Sequence, residues 1–218
     1  MKKILSHIKK EVFHTLQLYP IYRVIAAINR HFPLKGVSAL EAFAYTGALQ
    51  TRAYKHLPAC LEAWEIAPDC LPELEKNLPG ATIRITNSFE EVLRCDKKFG
   101  FINVDTHQGL FGGGAYCENF EFFPLLFRVT ASECIVNLNV IPEASPQWRK
   151  KYPGLFGPEH LKRREAFYAT GQPEHVTREQ MLRTYGRIAA ENGYSLVWHY
   201  YRQRTLTYYL ALHLKKNT

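Results

Sequence analysis

The sequence predicts one α/β domain: a three-layer α/β/α sandwich around a mostly parallel sheet, closed by an antiparallel C-terminal hairpin. Three observations lead there. Short apolar runs alternate with helical segments from Val37 to Val140, a pattern of strands joined by crossovers and hence of a parallel sheet. The last two apolar runs, Tyr194–Tyr201 and Thr205–Leu214, are separated only by Arg202-Gln203-Arg204, too short for a crossover, so they pair antiparallel. The chain has 218 residues, 46% of them hydrophobic and 22% charged, which suits one domain with an appendage.

Residues 1–36 read as a helical segment bent at Pro20. Ile4, Ile8, Val12 and Leu16 recur every four residues, Ile21, Ile25 and Ile28 continue the pattern, and Pro33 and Gly36 close it. The domain proper spans 37–218. Val37–Phe43 is its first strand, Gly47–His56 a helix stopped before Pro58, and Ala59–Glu65 the second strand. Asp69 or Cys70 caps the next helix, with Pro72 in its first turn, where its missing N–H costs least. That helix ends near Asn77, and Pro79-Gly80 turns the chain into a third strand, Ala81–Thr86. Phe99–Val104 and Cys134–Val140 are the fourth and fifth, with a helix over Asn119–Val129 between them. Residues 142–175 carry five prolines and no period, and read as an insertion that is either a pocket lid or a surface decoration. Thr177-Arg178-Glu179-Gln180 is a capping box opening a helix with Met181, Leu182, Tyr185, Ile188 and Ala189 on one face; Asn192-Gly193 ends it. In the last strand Leu206, Tyr208, Leu210, Leu212 and Leu214 alternate onto one side.

The five cysteines are scattered, odd in number and never spaced as CxxC. That argues against a disulfide framework or a zinc site and for a reducing compartment. The first residues begin like a leader, but His7, Lys9, Lys10 and Glu11 interrupt the apolar run. No stretch approaches the roughly 20 apolar residues of a membrane span, so the expectation is a soluble, cytoplasmic protein. The net charge is +8, partly clustered at 2–10, 149–151 and 162–164. Such a surface either draws anionic partners or is simply solvated.

In an open parallel sheet, ligands bind beyond the carboxyl ends of the strands at the switch point. Three such ends carry polar chemistry. Glu41-Ala42-Phe43-Ala44-Tyr45-Thr46-Gly47 passes from a strand into a tight turn, with Gly47 allowing close backbone approach and Thr46 placed to cap the next helix. Glu65, at the end of the second strand, lies where an acid accepts hydrogen bonds from ribose hydroxyls. The fourth strand runs into Asp105, with His107 two residues on.

Taken in this order, the motifs resemble those of class I S-adenosylmethionine-dependent methyltransferases, which have a Rossmann-like fold, and the resemblance runs from Val37 to Leu214. It implies that Glu41 takes the acidic position of the first motif and Gly47 its last glycine, with Ala42, Phe43, Tyr45 and Thr46 in the same cofactor loop. Tyr45 stands where many members have glycine. Glu65-Ile66 is similar to the second motif, so Glu65 would hold the ribose, with Ile66 beside it. Asn87 and Ser88 fall where members place an acid against the adenine, and Asp105 aligns with the acid of the fourth motif. The G-x-G-x-x-G of dinucleotide-binding proteins is absent.

The resemblance implies S-adenosyl-L-methionine as cofactor and methyl transfer as reaction. His107 and Asp105 are the catalytic candidates: His107 as the base that removes a proton from the acceptor, or as a structural histidine, and Asp105 as its orienting partner, a substrate contact or a contact to the methionine amine. The D-P-P-Y or N-P-P-Y motif of enzymes acting on nucleobase amines is replaced by Asp105-Thr106-His107-Gln108. The first expectation is therefore a small-molecule acceptor. The second is a nucleic acid (tRNA, rRNA or DNA) held by the basic, aromatic insertion, and the third a non-catalytic binding relative. One Asp and one His make a poor metal signature, and no metal is expected.

Overall fold

The computed structural model describes residues 19–48, 50–106, 110–111, 116–143, 146, 150, 157–203 and 208–218. Its first element is a helix, α1, over 19–31. Ile21, Val24, Ile25 and Ile28 recur at helical spacing and are all buried. The strands β1 (Ser38–Ala42), β2 (Cys60–Glu65), β3 (Thr82–Ile85), β4 (Phe99–Val104) and β7 (Thr130–Val140) come next, with a two-stranded ribbon of β5 (Leu110–Phe111) and β6 (Tyr116–Cys117) after β4. The C-terminal hairpin is β8 (Tyr194–Gln203) and β9 (Tyr208–Lys216).

Seven strands form one sheet in the order β3-β2-β1-β4-β7-β9-β8. Pairs from β3 to β7 are parallel, whereas β9 runs antiparallel to both β7 and β8. The expected mostly parallel sheet with an antiparallel terminal hairpin is therefore present. The order reverses between β1 and β4, which makes that junction the switch point.

Each face of the sheet has its own core. On one side α1 packs Ile21, Ile25 and Ile28 against Ala39, Phe101, Ile135 and Ala211, with Trp198 and Tyr200 of β8 at the margin. On the other, Leu40, Ile102, Val136 and Leu212 meet α4 (Glu118–Phe122) and α6 (Arg178–Glu191). β9 lies between two strands and is buried on both faces from Tyr209 to Leu214, so the alternation expected there resolves into one buried row on each side. β8 is the edge strand and carries a register shift between Leu196 and Trp198.

The capping box opens α6 as expected: Thr177 Oγ1 accepts from the Gln180 N–H at 3.2 Å, and Gln180 Oε1 accepts from the Thr177 N–H at 2.7 Å. α2 (Leu71–Asn77) has Cys70 as its cap and ends at Asn77. Two expected helices need correction. The helix expected over Gly47–His56 is, among the described residues, only a 3-10 turn at Thr51–Ala53. Thr51 and Tyr54, at the two ends of that turn, direct their hydroxyls to Glu41. The helix expected over Asn119–Val129 stops after Phe122 and tightens to a 3-10 turn, because Pro124 has no N–H to give and its ring opposes an α-helical carbonyl behind it. Two further helices lie where none is expected. α3 (Ser88–Arg94) is capped by Asn87. α5 (Pro158–Tyr168) lies within the insertion and is tied to the domain by buried Arg164, which donates to the carbonyls of Pro173 at 2.9 Å and Ile141 at 3.1 Å. Residues 1–18 lie outside the described residues. Among the described residues no helix is long and apolar enough to cross a membrane.

Candidate functional site

At the carboxyl ends of β1, β2 and β4, beside the start of α3, lies a cavity of about 790 Å³. Glu41, Phe43, Tyr45, Thr46, Gly47, Glu65, Ile66, Asn87, Ser88 and Asp105 all line it, so the structure brings these separate motifs together. Ala42 does not line the cavity: strand alternation turns its methyl into the core beside Leu40 and Trp64. His107 lies outside the described residues.

The loop after β1 winds tightly. Phe43, Tyr45 and Gly47 all have left-handed backbones, with φ of 60°, 48° and 64°. For the two non-glycine residues this conformation costs about 1–2 kcal/mol each. It explains why glycine would be the easier residue at position 45. Neighbouring elements hold the loop in place. Glu65 Oε2 accepts the Tyr45 N–H at 2.6 Å while its Oε1 accepts the Ala67 N–H at 2.9 Å. Ser88 Oγ accepts the Phe43 N–H at 3.3 Å, and Asn77 Nδ2 donates to the Thr46 carbonyl at 2.8 Å. The Tyr45 side chain stands out at the rim, 65% exposed.

Gly47 has no alternative. A Cβ there would meet Leu78 Cγ and Cδ1 at 2.8 Å, on a backbone that already disfavours L side chains. Gly47→Ala is expected to lower stability by about 2–4 kcal/mol, from the left-handed backbone and the overpacking together. A urea titration followed by circular dichroism measures it.

Glu41 sits at the cavity floor, 2% exposed. Thr51 Oγ1 donates to its Oε2 at 2.9 Å, the Tyr54 hydroxyl also donates there, and Asn103 Nδ2 donates to Oε1 at 2.7 Å. Burial outweighs these donors and pushes the carboxyl up to about 8, with Asp105 adding repulsion; the Tyr54 phenol, itself buried beside Glu41, is raised too. The strand register extends this polarity sideways. Glu41 pairs with Asn103, and Asn103 with Asn137. Asn137 Nδ2 donates to Asn103 Oδ1 at 2.6 Å, and Asn103 also reaches Gln50 Oε1 at 3.1 Å. On β7, Asn139 Nδ2 donates to the Asp105 carboxylate and, at 3.0 Å, to the Thr106 carbonyl, fixing Asp105 at the cavity wall.

Asn87 accepts the Phe89 N–H at 3.0 Å as the cap of α3, and its amide faces Glu90 at 3.3 Å. Its place at the cavity thus coincides with a structural duty. Ala44 of the same loop also lines the cavity, as do Ala48, Gln50, Thr51, Ala67 and Thr106, which the sequence did not single out as site residues. Sequence reasoning also missed Asn103 and Asn137 beneath them. Their signal was there: an amide inside FINV and another inside IVNLNV, where a buried polar group needs a partner. Among the described residues no group of three acidic, histidine or cysteine side chains is placed to hold a metal ion.

No family model matches the chain, and no curated protein does. Solved structures do. The plantazolicin methyltransferase, in complex with a triazolic desmethylPZN analog and SAH, superposes with a TM-score of 0.59 at 12% identity, over 100% of this chain and 90% of that one. The magnesium protoporphyrin IX methyltransferase of Synechocystis PCC 6803, with bound SAH, gives 0.58 at 13% identity over 94% and 84%. A putative RNA methyltransferase of Pyrococcus horikoshii gives 0.54 at 11% identity over 91% and 84%.

Proposed function

We propose that this chain, which has the Rossmann-like fold of the class I S-adenosylmethionine-dependent methyltransferases, binds S-adenosylmethionine in the cavity after β1 and transfers its methyl group. The observation that carries the reading is the convergence of the Glu41–Gly47 loop, Glu65, Asn87-Ser88 and Asp105 on one cavity at the switch point. The residues suit such a ligand. Each oxygen of the Glu65 carboxylate accepts one backbone N–H and keeps a further lone pair for ribose hydroxyls. Phe43, Ile66 and Ala67 offer apolar wall to a flat base, Asp105 offers negative charge to the cationic end, and Glu41, protonated below about pH 8, offers a neutral carboxyl at the floor. The cofactor, when bound, supplies an electrophilic methyl on sulfur. The chain then orients the acceptor and removes its proton; we assign the latter to His107, with Asp105 held by Asn139 beside the cavity.

The acceptor proposed first is a small molecule, because Asp105-Thr106-His107-Gln108 stands where enzymes acting on nucleobase amines carry D-P-P-Y or N-P-P-Y. A nucleic acid is the second reading, favoured by the net charge of +8 and by the flat, basic side chains along α1 and β8.

S-adenosylmethionine or its demethylated product at about 100-fold over Kd should stabilise the chain by about 2.7 kcal/mol, or roughly 5–10 °C in Tm. The absence of both a thermal shift and calorimetric heat at millimolar ligand would reject the reading. His107→Ala should keep cofactor binding and lose about 10²- to 10⁴-fold in turnover, measured with radiolabelled cofactor against small-molecule and RNA acceptor pools.

A further inference from the structure

We propose that the surface along which α1 meets the edge strand β8 is a binding surface for single-stranded nucleic acid. On α1, Tyr19, Arg23, Ala27 and His31 are four residues apart and so form one ridge. Both ends of that ridge meet β8. The Arg202 guanidinium lies 5.9 Å from the centre of the Tyr19 ring, and His31 stacks on Trp198 with centroids 4.2 Å apart and planes at 13°. Between these anchors Trp198 and Tyr200 stand near-parallel, 6.2 Å apart at 13°. His31, Trp198, Tyr200, Arg202 and Tyr19 therefore make a row of flat groups along the seam between α1 and β8. Tyr19 and His31 are exposed, while Trp198, Tyr200 and Arg202 are half-buried.

The spacing along the row suits bases. Side chains two apart on a strand repeat about every 6.6 Å, roughly twice the thickness of an aromatic ring. Base faces stack on such platforms whatever their sequence, but only when unpaired, which selects single strands over duplex. The charge fits as well. Arg23 and Arg30 are exposed and make no hydrogen bond or ion pair among the described residues. Lys35 and Lys215 are also exposed, and Glu133 lies 3.1 Å from His213 on the neighbouring strand. Among the described residues β8 pairs only with β9. The Arg202 end lies at the carboxyl edge of the sheet, where the cavity also lies, three strand spacings or about 14 Å from β4.

The test is fluorescence anisotropy of a labelled 15-nucleotide single-stranded oligouridylate with the full chain, without cofactor. Binding should weaken with salt along a linear log–log slope, as counterions are released. W198A/Y200A should weaken binding more than about 10-fold with the slope unchanged, because it removes stacking and no charge. R23A/R30A alters only exposed side chains and should flatten the slope by about 1.4, at ~0.7 per phosphate on a single strand. The proposal is overturned if no binding occurs at low salt, if both folded variants bind like the wild type, or if duplex competes as well as single strand. It is also overturned if light scattering shows a dimer that the same substitutions dissolve, since a second copy would then be the occupant. Because no cofactor enters the assay, failure here leaves the methyltransferase reading standing, and failure to bind S-adenosylmethionine leaves this one standing.

Discussion

Glu65→Ala is expected to weaken S-adenosylmethionine binding about 100-fold, since each hydrogen bond to a charged group is worth about 1.5–3 kcal/mol and more than one is lost. The loss has two origins. The carboxylate is the proposed acceptor for ribose hydroxyls, and it also holds the Tyr45 and Ala67 N–H groups from two different loops. Removing it frees a left-handed backbone at Tyr45 that has no intrinsic preference for that state. Isothermal calorimetry on the variant and on Glu65→Gln separates the two origins. Glutamine keeps one acceptor oxygen, but its amide faces a backbone donor, so an intermediate loss is expected. Unchanged affinity in both variants would remove Glu65 from the binding site.

The second large effect concerns pH. Glu41 keeps its proton to about pH 8 in the folded chain, against an ordinary 4.5. Between those values the folded state binds more protons than the unfolded state, so stability falls as pH rises. The contribution is fully present below about 4.5 and is lost by the time pH passes about 8, a change of at most about 5 kcal/mol for this one group. Glu41→Gln should flatten that part of the profile. Its amide oxygen can take the Asn103 donor, and its NH₂ can turn toward Thr51 and Tyr54, whose hydroxyls are able to accept as well as donate. Urea unfolding of both chains from pH 5 to 9 measures it. A wild-type chain that gains stability over this range, or a variant with the same slope, would contradict the assignment.

Much of this architecture was legible in the residues. Apolar runs marked β1, β2 and β4 closely, because a buried parallel strand has few ways to be written, while the edge strand β3 was marked by the Pro79-Gly80 turn before it. The tripeptide Arg202-Gln203-Arg204 forced the antiparallel hairpin. Less legible were features that depend on partners distant in sequence. The segment after Gly47 has helical composition, yet Thr51 and Tyr54 give their hydroxyl hydrogen bonds to Glu41 instead of extending a helix. α5 comes after a proline-rich stretch and owes its place to Arg164, a buried cation whose carbonyl partners lie 9 and 23 residues away. At the site, strand ends were visible as acids after apolar runs. The Glu41–Asn103–Asn137 row was not, because it exists only once three strands are in register.

The register shift in β8 has a consequence for which way that strand's aromatic groups point. Before it, Tyr194 and Leu196 belong with the core under α6; after it, Trp198 and Tyr200 belong with the core under α1, and Tyr201 with the other again. In a regular strand Leu196, Trp198 and Tyr200 would all face one way. The extra residue at Val197 inverts the parity of the rest of the strand. The strand thus behaves like a two-letter reading frame, and one inserted residue is what presents an indole and a phenol to α1 instead of to α6.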